Sequence, residues 1–207
     1  MMRTPIHSSR AAFSMLEILL AVALLGVLVQ KAVMIINGAM TVSSTDTVDT
    51  AMDDQARLVL RRMGFAIMGS QRDSLNPASE QPLDSSEIRY QVHLGLQDGE
   101  VVWSDPEKIA LSELDDSQLF WTRNPDAPEE RRIVWTNMVA PYLEGELPNG
   151  MDDNGNGLID EKGLSFVVER NAVTIRLTLE RMGPDGQRFT KTVETTVTCR
   201  NREGLEL

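Results

Sequence analysis

An apolar stretch near the N-terminus, residues 13–36, sets the first limit on how this chain folds. Its conspicuously polar members are Ser14, Glu17, Gln30 and Lys31. About twenty residues of helix cross the hydrocarbon core of a bilayer, so the stretch is long enough to span one. The segment before it carries two arginines and no acid, which places the N-terminus in the cytoplasm and the rest of the chain outside.

Glu17 is the one acid in this stretch. A charged side chain in a membrane-spanning segment costs at least a few kcal/mol, so it is usually kept where a partner charge or a function repays its burial. A secretory signal peptide shares the basic start and the apolar run, but it ends in a small-x-small cleavage site. Residues 37–39, Asn-Gly-Ala, match such a site poorly.

These residues resemble the precursors of type IV pilins and pseudopilins, whose leader is cut by prepilin peptidase. The match lies in the short basic leader, a small residue before Phe13, Glu17 four residues later, and the Leu/Ala/Val run that closes at residues 25–28. The resemblance implies a leader at residues 1–12, a cut between Ala12 and Phe13, and N-methylation of Phe13. The family usually has Gly where this chain has Ala12.

In the family, Glu17 corresponds to the acid at the fifth mature position, which acts in filament assembly. A cut before Phe13 would create an α-ammonium group at membrane depth, and Glu17 of a neighbouring subunit would attract it strongly in the low dielectric. Such a pair would set the axial register of stacked helices. The alternative is a solitary glutamate near the interface of an ordinary signal anchor.

The rest of the chain is expected to hold the outer half of the N-terminal helix, residues 37–70, and a β-rich extracytoplasmic domain, residues 71–207. Residues 41–50 are rich in Thr, Ser and Asp, which predicts a kinked or loosened helix there. Between Met52 and Met68 apolar residues recur at helical spacing, which predicts a helix packed on a sheet. The members of this stripe are Met52, Ala56, Leu60, Met63 and Ile67.

Strand patterns occupy much of the remaining chain, with turn residues at 182–187 and at Arg170-Asn171 that predict two β-hairpins. The predicted fold class is α+β, with a long N-terminal transmembrane and amphipathic helix packed on an antiparallel β-sheet. The pilin resemblance implies the same architecture. The predicted strands cover residues 88–94, 101–103, 118–121, 132–135, 165–169, 173–179 and 189–197.

A second motif lies in the loop 149–163, which has the spacing of an EF-hand-type calcium loop. Gly157 stands at the sixth position, where such loops turn sharply, and Ile159 is expected to anchor the loop to the core. Position twelve is Gly163 where an EF-hand has a bidentate Glu, so Glu161, Asp153 or a carboxylate from elsewhere in the chain would have to complete the shell. The alternative is a surface turn without metal. The predicted calcium ligands are Asp152, Asn154, Asn156, the Leu158 carbonyl, Asp160 and Glu161.

Composition argues against several classes of function. The net charge of −11 disfavours binding to nucleic acid. No G-x-S-x-G or H-E-x-x-H motif is present, and His93 is the one histidine outside the leader, so we expect no enzyme. Cys199 is the one cysteine, and we expect it to be a buried structural thiol.

The sequence is therefore interpreted as a minor pilin or pseudopilin, a structural subunit that joins a type II secretion pseudopilus or a type IV pilus-like filament through its N-terminal helix and supports protein secretion. The implied partners are other such subunits, prepilin peptidase and the membrane. The implied location is the bacterial inner membrane, crossed once, with the C-terminal domain in the periplasm. J-type pseudopilins and W-type minor pilins are the most similar subunits.

Two other classes remain open from the sequence. One is a membrane-anchored module that binds calcium or carbohydrate, whose N-terminal helix is merely an anchor. The other is an extracytoplasmic hydrolase. A Glu17→Ala substitution separates the first of these from the filament subunit, because only the filament needs the acid.

Overall fold

The helix α1 runs from Met15 to Met68 without interruption. The structure is a computed structural model that describes residues 14–77, 84–183 and 186–199. Its backbone divides into two units, Met1–Asp46 and Thr47–Leu207, and α1 contributes residues to both.

In the first unit, every residue from Ser14 to Met40 is exposed, although most of these side chains are apolar. Among the described residues, α1 is the one helix with the length and composition of a membrane span or signal anchor. The expectation that the helix is loosened in residues 41–50 is wrong, because α1 continues through them. Ending and restarting the helix there would leave unpaired N–H and C=O groups at two new termini and require a second nucleation, which outweighs the weak preferences of Thr, Ser and Asp.

In the second unit, α1 contributes one side of the hydrophobic core. The prediction that its last part packs on a sheet is confirmed, since a stripe at spacings of four, three, four and four residues lies in one cluster with the apolar side chains of the strands. Leu60, which the sequence placed in the stripe, is half-buried beside Val59. The buried stripe consists of Met52, Ala56, Val59, Met63 and Ile67.

The described part of the second unit holds two antiparallel four-stranded sheets, in the orders β1-β8-β9-β10 and β2-β5-β6-β7, and the ribbon β3-β4. A short 3-10 helix, Arg72–Ser74, follows α1. The strands are β1 (Asp84–Ser85), β2 (Glu87–Tyr90), β3 (His93–Gln97), β4 (Glu100–Trp103), β5 (Glu107–Leu111), β6 (Leu119–Arg123), β7 (Arg131–Thr136), β8 (Leu164–Glu169), β9 (Ala172–Met182) and β10 (Arg188–Thr198). The predicted α+β class, a long apolar helix with antiparallel sheets, is confirmed.

Both predicted hairpins are present. β9 pairs with β10 along their whole length, and β8 pairs with β9 across the tight turn at Arg170, whose φ is 52°. The predicted strand 88–94 is instead divided between β2 and β3, which belong to different sheets. β5 was missed because Glu107 and Lys108 precede three apolar residues in a row, a pattern without alternation.

Candidate functional site

The N-terminal candidates are only partly described. Ala12 and Phe13 lie outside the described residues. Ser14 and Glu17 form a reciprocal pair at the start of α1: the backbone N–H of Glu17 donates to Ser14 Oγ at 3.2 Å, and the backbone N–H of Ser14 donates to Glu17 Oε2 at 2.9 Å. Ser14 Oγ also lies 3.1 Å from Glu17 Oε2. This is a capping box, which satisfies two N–H groups at the helix terminus.

In the loop 149–163, called the acidic loop below, the carboxylate of Asp152 accepts the hydrogen bonds that hold the turn. Its Oδ1 accepts the N–H of Gly155 at 2.7 Å and of Asn156 at 3.1 Å, and its Oδ2 accepts the N–H of Gly157 at 2.8 Å. These hydrogen bonds, the one from Gly157 foremost, hold the pKa of Asp152 below its usual value. Gly157 has a φ of 87°, so it does provide the sharp turn expected at the sixth position. Leu158 donates its N–H to Asn156 Oδ1 at 2.8 Å.

Asp160 serves a neighbouring turn. Its carboxylate accepts the backbone N–H of Asn149 at 3.1 Å and of Gly150 at 3.0 Å. Asp160 itself has a φ of 52°. Ile159 is 58% exposed, so the expectation that it anchors the loop to the core is wrong.

Glu161, by contrast, is completely buried. Its Oε1 accepts from Arg176 Nη1 at 3.0 Å and lies 3.2 Å from Ser165 Oγ. Its Oε2 accepts from the side-chain amide of Asn154 at 3.4 Å and from that of Asn156. Three of the six predicted ligands, Asn154, Asn156 and Glu161, therefore come together around one carboxylate.

Glu146 is a member of this site that the sequence did not reveal. It is the one buried residue between 144 and 150, with 5% exposure. Its Oε1 accepts the backbone N–H of Asn154 at 3.1 Å, and its Oε2 is buried with no hydrogen-bond donor in the described structure. The surrounding sequence, Glu-Gly-Glu-Leu-Pro-Asn-Gly, reads as a polar loop, and no spacing in it distinguishes Glu146 from Glu144.

A third acid lies close by. The Ser165 hydroxyl, which contacts Glu161, also contacts the Asp84 carboxylate, and one hydroxyl proton can serve only one of the two at a time. Burial, opposed in part by this hydrogen bond, raises the pKa of Asp84, and the charge of Glu161 raises it further. Arg176 is the nearby cation, and Glu194 also binds it, at 2.7 Å.

No three Asp, Glu, His or Cys side chains meet as a ready metal-binding group in residues 14–77, 84–183 and 186–199. Cys199 is buried, as expected, and its burial raises the pKa of the thiol. The site around Glu146 and Glu161 thus holds two buried carboxylates, and the side-chain amides of Asn154 and Asn156 direct their nitrogens toward Glu161.

The class of this protein is defined by its architecture. Scans against protein-family models, curated proteins and solved structures each found no match. The architecture defines an α+β protein whose long apolar N-terminal helix has the character of a membrane span or signal anchor.

Proposed function

We propose that this protein is a structural minor pilin or pseudopilin subunit that assembles through the N-terminal part of α1 into a filament. The observation that carries the proposal is the exposure of Ser14 to Met40 on a helix that continues into the core of the second unit at Met52. So many exposed apolar side chains require lipid or other apolar helices around them. A filament core supplies helices, and the inner membrane supplies lipid before assembly.

In this proposal the leader is cut before Phe13 by prepilin peptidase, and the subunit waits in the bacterial inner membrane with its β-rich unit in the periplasm. Its partners are further pilin-type subunits. The filament is a pseudopilus of type II secretion, with this chain as a J-type minor subunit, or a pilus with this chain as a W-type minor pilin. A minor subunit fits an open helical assembly in which one atypical subunit occupies the tip.

Glu17 has two candidate roles, which its contacts help to separate. Within the subunit, it caps the start of α1 together with Ser14. Between subunits, its carboxylate would neutralise the methylated ammonium group of Phe13 on a neighbour. The local role needs a hydrogen-bonding side chain, whereas the assembly role needs a negative charge.

The test therefore compares Glu17→Gln with Ser14→Ala in the full-length protein, expressed in a cell that carries its secretion or pilus machinery. Glutamine preserves the capping geometry and removes the charge, whereas Ser14→Ala removes the cap and keeps the charge. We expect Glu17→Gln to abolish incorporation into filaments and Ser14→Ala to leave most of it. Incorporation is measured by crosslinking to neighbouring subunits, and membrane insertion by fractionation. The N-terminal mass of both variants should correspond to an N-methylated Phe13.

Equal assembly of both variants and of the wild type would reject the filament role of Glu17. An intact Met1 would reject processing by prepilin peptidase.

A second candidate function, a membrane-anchored calcium-binding module, is favoured by the buried pair Glu146 and Glu161. That function predicts normal behaviour for both N-terminal variants.

A further inference from the structure

One buried carboxylate oxygen, Oε2 of Glu146, receives no hydrogen bond in the described structure. It points to a binding site that is separate from the proposed filament role. We propose that the carboxylates of Glu146 and Glu161 bind a calcium ion. This site differs from the EF-hand-type ring expected from the sequence, because Glu146 lies outside the motif and Asp160 is not a ligand.

Glu146 is buried among exposed neighbours, and one N–H donor, from Asn154, serves its two oxygens. An ionised carboxylate taken out of water is costly unless it is paired or bound to a metal. Every other residue from 144 to 150 is exposed, so Glu146 is the one residue of this segment that turns inward. The inward orientation of Glu146 therefore points to a cation as its partner.

Asn154 links the two acids. Its backbone N–H contacts Glu146, and its side-chain amide contacts Glu161. The backbone N–H of Leu143 donates to the carbonyl of Glu161 at 3.0 Å, which holds the segment before Glu146 against the end of the loop. A Cβ atom added to Gly145 would lie 3.5 Å from Cβ of Asn154, so the two segments are in contact.

The available cation in the protein does not fill this position. Arg176 binds Glu161 through Oε1, so Oε2 remains on the side of the two asparagines. Arg176 also binds Glu194, so this one cation already serves two carboxylates, and Glu146 adds a further carboxylate that leaves an excess of negative charge. An added divalent cation would offset that excess.

The donor types identify calcium among the divalent ions. Carboxylates, amide oxygens, backbone carbonyls and water are the ligands of Ca²⁺, which accepts six to eight of them in irregular geometry. Zinc prefers Cys and His, and neither residue type contacts Glu146 or Glu161 in the described structure. Mg²⁺ demands a near-ideal octahedron and retains its water, and a loop rich in Asn and Gly suits that geometry poorly.

The proposal is tested by calorimetric titration of the full-length protein in detergent with calcium and, separately, with magnesium. The variants are Glu146→Gln and, as the matched loop control, Asp160→Asn, which retains an oxygen for the N–H groups of Asn149 and Gly150. We expect one calcium per chain with a dissociation constant of roughly 0.1–1 mM, as in extracellular modules. Glu146→Gln should weaken binding by at least about tenfold and Asp160→Asn by less than about threefold.

A second readout is the melting temperature in EDTA and in calcium. In EDTA, Glu146→Gln should melt at or above the wild type, because it removes an unpaired buried charge. In calcium, the wild type should gain stability and the variant should not. The proposal is overturned if the wild type binds no calcium at about 10 mM, if Glu146→Gln binds as tightly as the wild type, or if that variant fails to fold in EDTA. Stronger weakening by Asp160→Asn than by Glu146→Gln would also overturn it and assign the ion to the EF-hand-type ring. None of these outcomes bears on filament assembly, which the Glu17 variants test.

Discussion

At the residue scale, Gly163 is a position where the backbone of one segment leaves no room for a side chain. An added Cβ atom would lie 1.9 Å from the carbonyl oxygen of Ala140, far inside any real contact. The close approach is needed because the Gly163 carbonyl and the Ala140 N–H both bond to Thr178 on β9. We predict that Gly163→Ala lowers the free energy of unfolding by about 1–3 kcal/mol, the usual cost of overpacking. Chemical denaturation measures it.

Gly64→Ala is the matched control. Gly64 lies inside α1, and its added Cβ would meet Val197 Cγ1 at 3.4 Å, an ordinary contact distance. Alanine is favoured over glycine in a helix by about 1 kcal/mol, so this variant should be as stable as the wild type or more so. If both substitutions changed stability equally, the close approach at Gly163 would be refuted.

The acidic loop shows what could be read from single residues. The turn around Asp152 was predictable from the spacing of Asp, Asn and Gly in the loop. Asp and Asn side chains accept backbone N–H groups a few residues further along the chain, and Gly permits the turn. The part played by Glu146 was not, because its burial depends on Leu143 meeting Glu161 nearly twenty residues later in the chain. Tertiary contacts of this kind leave no local pattern.

At the scale of elements, Thr178 fastens the segment after β7 to the central strand β9. Thr178 is fully buried; its Oγ1 accepts the backbone N–H of Glu144 at 3.2 Å and lies 3.0 Å from Oγ1 of Thr192. Thr178→Val keeps the shape and removes the hydroxyl, so it leaves a backbone N–H without its partner. We predict a loss of about 1–3 kcal/mol in the free energy of unfolding, measured by denaturant titration.

Thr174, on the same strand, provides the comparison. Its hydroxyl pairs with that of Thr196 at 3.0 Å in an exposed position, where water replaces the lost hydrogen bond. Thr174→Val should therefore change stability by less than about 0.5 kcal/mol. Equal losses for the two valine variants would show that the buried hydroxyl of Thr178 does not fasten this segment.

The helices and strands with a strong local sequence pattern were predicted best. The hairpin β9-β10 alternates over eleven-residue strands, and the sequence Gly-Pro-Asp-Gly that separates them is itself a turn signal, so local rules sufficed. β1, only two residues long, exists because Asp84 and Ser85 pair with β8, a distant partner. The continuity of α1 through residues 41–50 was missed for the opposite reason, since local preference there was given more weight than the cooperativity of the helix.

At the scale of the whole molecule, the buried hydrophobic core belongs entirely to residues from Met52 onward among those described. The unit Thr47–Leu207 therefore contains its complete described core, including the buried stripe of α1. We predict that a chain starting at Thr47 folds in water without detergent and melts cooperatively. Differential scanning calorimetry and gel filtration measure this.

A second truncation shows whether the helix is structural there or merely attached. A chain starting at Gly69 lacks Met52, Val59, Met63 and Ile67, which are buried against the strands. Burying four such side chains contributes roughly 6–12 kcal/mol, as much as the roughly 5–15 kcal/mol by which a whole domain is stable. The shorter chain should therefore show no cooperative transition. If it melted like the longer one, the last part of α1 would be dispensable for the fold.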